Sequence, residues 1–265
     1  MLTSTQNPRV RAVRALLDRR RHREDERRFV AEGVRLIEAA LDAGIRPDEA
    51  FYVADLLQNE RGRALVARLR GVTETVEVSP GVMDALSDTE TPQGVVAVLP
   101  FLSLPRTGAA DKGSLPLILV VDGVRDPGNL GTLLRSAAAV GVTEVLLAPG
   151  TVDLYNPKAV RAGMGAHFVV PTEALDWESI AGRLAGLAVR VAAARTSQPY
   201  DRVDWTVGSA LIVGGEAEGA GVEAWRVAQE GVTIPMHGDV ESLNAAMAAT
   251  IILFEADRQR RTQER

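Results

Sequence analysis

From Leu117 onward the chain repeats one pattern: a short apolar run, a turn rich in Gly, Asp, Asn or Pro, then a stretch of helical period. Runs such as LILVV at 117–121, VLL at 145–147 and LIV at 211–213 show no alternation of apolar with polar residues. Strands of that kind are buried on both faces, and strands separated by helices run parallel because each helix returns the chain across the sheet. The pattern predicts strands at 117–121, 144–147, 168–170, 189–193 and 211–213, with helices at 130–140, 157–164, 177–187, 222–228 and from Ser242. This half is expected to be a mainly parallel α/β domain whose chemistry lies in the turns after the strands.

The first 100 residues carry a smaller version of the same alternation. A helix is expected over 7–24, with Val10, Val13, Leu16 and Leu17 on one stripe; strands follow at 28–32, 50–53, 75–78 and 94–99, and helices at 34–43, 56–69 and 80–86. Residues 101–116, with neither hydrophobic period, read as a linker. The expected division is a small N-terminal α/β domain at 1–100, a linker at 101–116 and a second domain at 117–265.

Composition excludes several chemistries. The chain has no cysteine, so there is no thiolate nucleophile and no Cys-based zinc site, and three scattered histidines (His22, His167, His237) predict metal-free chemistry. The longest nearly unbroken apolar stretch, 245–254, falls far short of the roughly 20 residues that span a bilayer, so a soluble cytoplasmic protein is expected. A net charge of −5 hides a basic N-terminus: between Arg9 and Arg28 nine arginines face four acids. That stripe reads either as a phosphate-binding surface or as a solvated helix held by ion pairs.

Three stretches carry candidate chemistry. In the first, DGVRDPGNLGTLLR at 122–135, a turn leads from a strand into a helix, and Asn129 stands where a side-chain oxygen caps backbone N–H groups. Arg135 lies six residues on, about 120° around the helix from Asn129. Taken alone, the segment reads as a capped helix with a solvent arginine, and neither nucleotide-binding glycine fingerprint is present. The second, LIVGGEAEG at 211–219, places glycines just past a strand, where a ligand can approach the backbone. In the third, IPMHGDVESLN at 234–244, a strand ends at a proline and Ser242 is placed to cap the last helix, whose expected buried stripe is Leu243, Met247, Ile251 and Phe254. Asn244, a poor residue inside a first helical turn, must find a specific partner.

In this order and spacing the three stretches resemble the SpoU/TrmH branch of the SPOUT RNA 2′-O-ribose methyltransferases. N-x-G-x-x-x-R is met by Asn129, Gly131 and Arg135, G-x-E-x-x-G by Gly214, Glu216 and Gly219, and the I-P-M to R-Q-R pattern by Ile234 through Arg260. Residues 153–168 are similar to the family's intermediate segment, and the first 100 residues, with NPRV, FVAEG and TPQGVVAV, resemble the small RNA-binding domain attached to many ribosomal-RNA members. The resemblance covers nearly the whole chain. It implies a C-terminal domain with a deep trefoil knot, an exception to the rule that chains do not thread their own loops. It further implies S-adenosylmethionine as cofactor, held by Gly214, Ile234, Met236 and Leu243, and a catalytic set of Asn129, Arg135, Glu216, Ser242 and Asn244 assembled at a homodimer interface, with no metal.

The implied reaction is methylation of a ribose 2′-hydroxyl in large-subunit ribosomal RNA. A tRNA ribose methyltransferase and a catalytically silent RNA-binding or ribosome-assembly factor are the alternatives. Arg135 is expected to hold the phosphate and stabilise alkoxide charge, because a guanidinium is permanently charged. Ser242 and Asn244 would hold the ribose or order the loop, and Glu216 would organise the site. Two positions depart from the family pattern: Gly163, where a serine is usual, and Ala245-Ala246-Met247, where Val-Ser-Val is usual. Both read as packing variants.

Overall fold

The structure, a computed structural model, describes residues 1–105, 115–194, 196, 198–238 and 242–263. The expected linker therefore lies largely outside the described residues. The chain forms two compact units: Met1–Ser103 together with Asp153–Phe168, and Leu104–Val152 together with Val169–Arg265.

The first unit is built on a four-stranded sheet of β1 (Arg28–Glu32), β4 (Val95–Pro100), β2 (Glu49–Tyr52) and β3 (Glu74–Glu77), in that spatial order. Both faces are covered. On one, Phe29, Ala31, Ala50, Val95, Ala97 and Leu99 pack against α3 (Val34–Asp42) and α4 (Glu60–Val72). On the other, Val30, Phe51, Val96 and Val98 meet α1 (Pro8–Asp18) and α5 (Pro80–Leu86). The strict alternation along β4 divides the two cores, and each fully buried large side chain contributes about 1.5–3 kcal/mol. Residues from 153–168 complete the first core: Tyr155 stacks between Phe29 and Phe101 at centroid distances of 4.5 and 4.0 Å, while Val160 on α7 (Pro157–Gly163) and Phe168 join the cluster.

The helix expected over 7–24 is broken. α1 ends at Asp18, Arg19 is extended (φ −126°, ψ 112°), and α2 (Arg20–Glu26) follows. The cause lies far along the chain. Arg23 turns inward and donates to the Leu16 and Leu17 carbonyls at 2.5 and 3.0 Å, satisfying the last turn of α1, and pairs with Asp153 at 2.6 Å. Most of the basic stripe is likewise consumed internally. Arg9 bridges Glu49 and Glu74, Arg20 pairs with Glu24, Arg28 with Glu26, and Arg27 lies over Phe101. Among the described residues, Arg11, Arg14 and Arg19 keep neither an ion pair nor a ring contact.

The second unit is a seven-stranded sheet with the order β7-β6-β5-β10-β8-β11-β9, every pairing parallel. Its strands are β5 (Leu117–Asp122), β6 (Glu144–Leu147), β7 (Thr172–Ala174), β8 (Ala188–Ala192), β9 (Gln198–Pro199), β10 (Ser209–Gly214) and β11 (Glu230–Thr233). The mainly parallel α/β architecture matches the expectation. The strand expected at 168–170 does not form. Gly165 (φ +95°) starts a 3-10 turn closed by Phe168 N–H on the Gly165 carbonyl, and the edge strand begins later, at Thr172. β10 inserts between β5 and β8, so strand order reverses there and a crevice opens at the carboxyl ends.

The last helix, α10 (Ala245–Gln263), corrects two expectations. Its cap is Asn244, whose Oδ1 accepts from the N–H groups of Ala246 (3.0 Å) and Met247 (3.2 Å), and Ser242 is exposed before it. Its buried face is Ala246, Ala249, Ile252, Leu253 and Ala256, leaving Met247 57% and Phe254 46% exposed. Three alanines allow a close approach to α6 (Pro127–Ala139), where the Ser136 and Thr250 hydroxyls lie 2.7 Å apart. Near its other end Arg260 donates to the carbonyls of Leu115, Pro116, Trp205 and Val207, tying the helix to the start of β5.

Candidate functional site

The site grows from the corner where β5 meets α6. Asp126 caps the helix, accepting from Asn129 N–H at 2.8 Å, and Pro127 occupies the first turn, where its missing N–H costs nothing. Asn129 is thus one turn inside the helix, not its cap, and its side chain is released. Asp122, at the end of β5, accepts from Gly221 N–H at 2.7 Å and draws the loop after β10 across the corner. That loop has no room for side chains where it crosses. A Cβ on Gly214 would lie 2.0 Å from the Gly219 backbone, and one on Gly215 would lie 2.6 Å from the Gly123 carbonyl.

Three of the expected catalytic residues meet here, one from each stretch. Asn129 Nδ2 donates to Glu216 Oε1 at 2.5 Å, and Asn129 Oδ1 accepts from Asn244 Nδ2 at 3.1 Å. The amide orientations follow from the N-terminus of α10. Its N–H groups are donors, so Asn244 presents its oxygen to them and only its NH2 remains for Asn129. Asn129 must accept with its oxygen, which turns its NH2 toward the carboxylate.

Beside this relay lies a cavity of about 910 Å³ at the carboxyl ends of β8, β10 and β11. All four expected cofactor-contacting residues, Gly214, Ile234, Met236 and Leu243, line it, as do Glu216, Ser242 and Asn244. Its strand-end lining is apolar, with Ala192, Val213 and Val232. Such a pocket, apolar with convergent polar groups at one side, fits a small-molecule site.

Arg135 does not join the relay within one chain. It is exposed on α6 and makes no hydrogen bond or ion pair among the described residues. His237 is exposed on the loop beyond Met236, and Gly163 is buried in α7 of the first unit. Two residues escaped sequence reasoning: Asp122, whose signal was an acid ending a wholly apolar strand, and Trp225 on α9 (Val222–Val227), which lines the cavity.

Residues 116–254 match the model of the SpoU rRNA Methylase family, and residues 7–97 match the MRM3-like substrate binding domain. Human mitochondrial rRNA methyltransferase 3 is 33% identical over 96% of this chain and 73% of its own length. The 23S rRNA (guanosine(2553)-2'-O)-methyltransferase RlmP of Bacillus subtilis is 32% identical over 96% of this chain and 97% of its own. The crystal structure of the SpoU methyltransferase AviRb from Streptomyces viridochromogenes, in complex with the cofactor AdoMet, superposes with a TM-score of 0.86 at 31% identity, covering 97% of this chain and 99% of that one.

Proposed function

The chain belongs to the SpoU rRNA methylase family, and from that premise we propose that it methylates a ribose 2′-hydroxyl of large-subunit ribosomal RNA using S-adenosylmethionine. The observation that carries this reading is the Asn129–Glu216–Asn244 relay at the rim of the strand-end cavity. A catalytically silent RNA-binding factor would have no need of an amide relay whose polarity is set by a helix terminus.

The cavity suits the cofactor. Its volume is in the range of small-molecule sites and its strand-end lining is apolar. We assign Gly214, Ile234, Met236 and Leu243 to holding it. When bound, S-adenosylmethionine supplies a methyl group made electrophilic by a positively charged sulfur. The 2′-oxygen would approach the methyl carbon in line to about 3 Å, its proton passing to water or to the target phosphate and S-adenosylhomocysteine being released. Arg135, always charged, holds the target phosphate and stabilises negative charge developing on that oxygen. Asn129 and Asn244 fix the ribose, Glu216 holds the Asn129 amide, and Ser242 contacts the ribose from the loop before α10.

Arg135 reaches the relay from a second copy of the chain. What supports a homodimer is the exposed apolar pair Met247 and Phe254 on α10, the helix packed against α6, which carries Arg135. We take the C-terminal domain to carry a trefoil knot, a reading supported by its likeness to the SpoU methyltransferase structure. We assign RNA binding to residues 1–100, the linker to 101–116 and methyl transfer to 117–265, a division supported by the two family matches. A cytoplasmic setting is supported by the bacterial relative, although the human relative is mitochondrial; no helix among the described residues is long and apolar enough to cross a membrane.

Transfer of tritiated methyl from S-adenosylmethionine to ribosomal RNA tests this function. Transfer is expected with the native chain and its loss with Arg135→Ala; undiminished transfer by that variant would sink the site assignment.

A further inference from the structure

The corner that carries the relay is acidic. Asp122 and Asp126 flank the turn after β5, and Glu216 and Glu218 follow β10. These carboxylates repel a phosphodiester approaching Asn129, and with Arg135 serving the site of a second copy they lack its counter-charge. Within 122–134, 211–221 and 234–244 the sequence holds a single arginine and no lysine: Arg125.

Arg125 is exposed, and among the described residues it has no hydrogen bond, ion pair or ring contact. The backbone beneath it is held on both sides. Gly123, in the left-handed region at φ +66°, donates its N–H to Thr151 Oγ1 at 3.1 Å, and that hydroxyl donates to the Val121 carbonyl at 2.9 Å. Val124 is fully buried, its carbonyl accepts from Val152 N–H at 2.9 Å, and Asp126 then caps α6. Because Thr151 is itself buried, water does not compete for this brace. The fold thus holds in place a side chain that it does not itself use.

The reacting group is close. Asp126 Oδ1 and Asn129 N are 2.8 Å apart, so Arg125 leaves the backbone about one helical turn before Asn129. A planar guanidinium on a long stem binds a phosphate through two parallel N–H···O bonds. Such a contact fixes the register of a nucleic-acid strand without reading a base.

Resting on the proposed function, we infer that Arg125 is a positioning residue that grips a backbone phosphate of the RNA beside the reacting ribose, at the site of its own chain. It supplies from that chain the positive charge that the relay lacks.

The test uses the full chain and large-subunit ribosomal RNA, with methyl transfer read at varied RNA and binding read at several salt concentrations. Arg125→Ala is expected to raise KM for RNA about tenfold, as for the loss of one charged hydrogen-bonded contact, and to affect kcat less. The slope of log affinity against log salt should shrink by about 0.7–0.9, the share of a single phosphate. Arg125→Lys keeps the charge and should restore the slope and part of the affinity. S-adenosylhomocysteine binding and the thermal melt should match those of the native chain, because Arg125 neither lines the cavity nor packs in a core. An unaltered KM, or a raised KM with an unaltered salt slope, overturns the assignment of Arg125 and leaves the proposed function standing. No methyl transfer by the native chain overturns the proposed function and the assignment of Arg125 with it.

Discussion

Asn129 and Glu216 are 87 residues apart in sequence, yet they share a 2.5 Å hydrogen bond whose direction is imposed from a third segment by Asn244. Asn129→Ala removes the central member of the relay without opening a core. Methyl transfer at saturating substrates is expected to fall by about 10²-fold, the usual effect of losing alignment at a reacting centre. Affinity for S-adenosylhomocysteine and the melting temperature should change little. Single-turnover kinetics beside a thermal melt separate these effects; a native rate would remove Asn129 from catalysis.

The dimer reading predicts complementation. If Arg135 acts on the site of a second copy, mixing Arg135→Ala with Asn129→Ala chains after partial denaturation and refolding restores activity, because one of the two sites in each mixed dimer keeps both groups. Up to about a quarter of native activity is expected from random reassortment. Action within one chain predicts none, since every site in the mixture is then defective.

Met247 and Phe254 lie seven residues apart on one side of α10 and are exposed in the single chain. Replacing Phe254 with Asp should shift the chain toward monomer, read by light scattering on a sizing column. Methyl transfer should fall in parallel, although neither side chain takes part in the relay. A dimer that survives Phe254→Asp and Met247→Asp together would place the interface elsewhere.

Arg23 and Asp153 pair with side-chain exposures of 4% and 10%. Arg23→Ala leaves a buried carboxylate unpaired and two carbonyls of α1 without donors, so about 3–5 kcal/mol of stability should be lost in urea denaturation. Arg23→Met combined with Asp153→Leu should recover part of it, because removing both charges avoids stranding one. A loss in the double variant equal to the sum of the two single losses would show that the two residues act independently.

His167 is fully buried; its Nε2 lies 2.9 Å from the Leu154 carbonyl and its Nδ1 lacks a partner among the described residues. Burial pushes its pKa down from 6.5 to about 4. The unfolded chain therefore takes up a proton that the folded one refuses, and stability present above pH 6.5 is lost as pH falls toward 4. The loss from this group is about 3 kcal/mol over that window. In His167→Phe the slope of stability against pH in that window should flatten; an unaltered slope would assign the acid sensitivity to other groups.

The sheet of the second unit was legible because wholly apolar runs between helices leave little freedom in topology. Helix ends were less so. Asp126-Pro127 is a strong local start signal, and reading Asn129 as the cap overlooked it; Ser242 is as good a cap by type as Asn244, and only the relay to Asn129 chooses between them. The face of α10 was misassigned because large side chains were weighed above alanines, whereas close packing on α6 selects the small ones. The break at Arg19 had no local cause to read, since it depends on Asp153, 130 residues beyond Arg23. Trp225 was missed for a similar reason: only the folded chain brings the short helix α9 to the rim of the cavity.

The first unit takes its last core residues from 153–168, after the chain has already begun the second. During synthesis Phe29 and Phe101 therefore emerge well before Tyr155, and at about 5–20 residues per second the wait is roughly several seconds. Through that interval the N-terminal segment has an unfinished surface, and the two units cannot mature one after the other. Their completion is interleaved, so a pause in synthesis just before residue 153 would prolong the exposure of that surface more than a pause elsewhere.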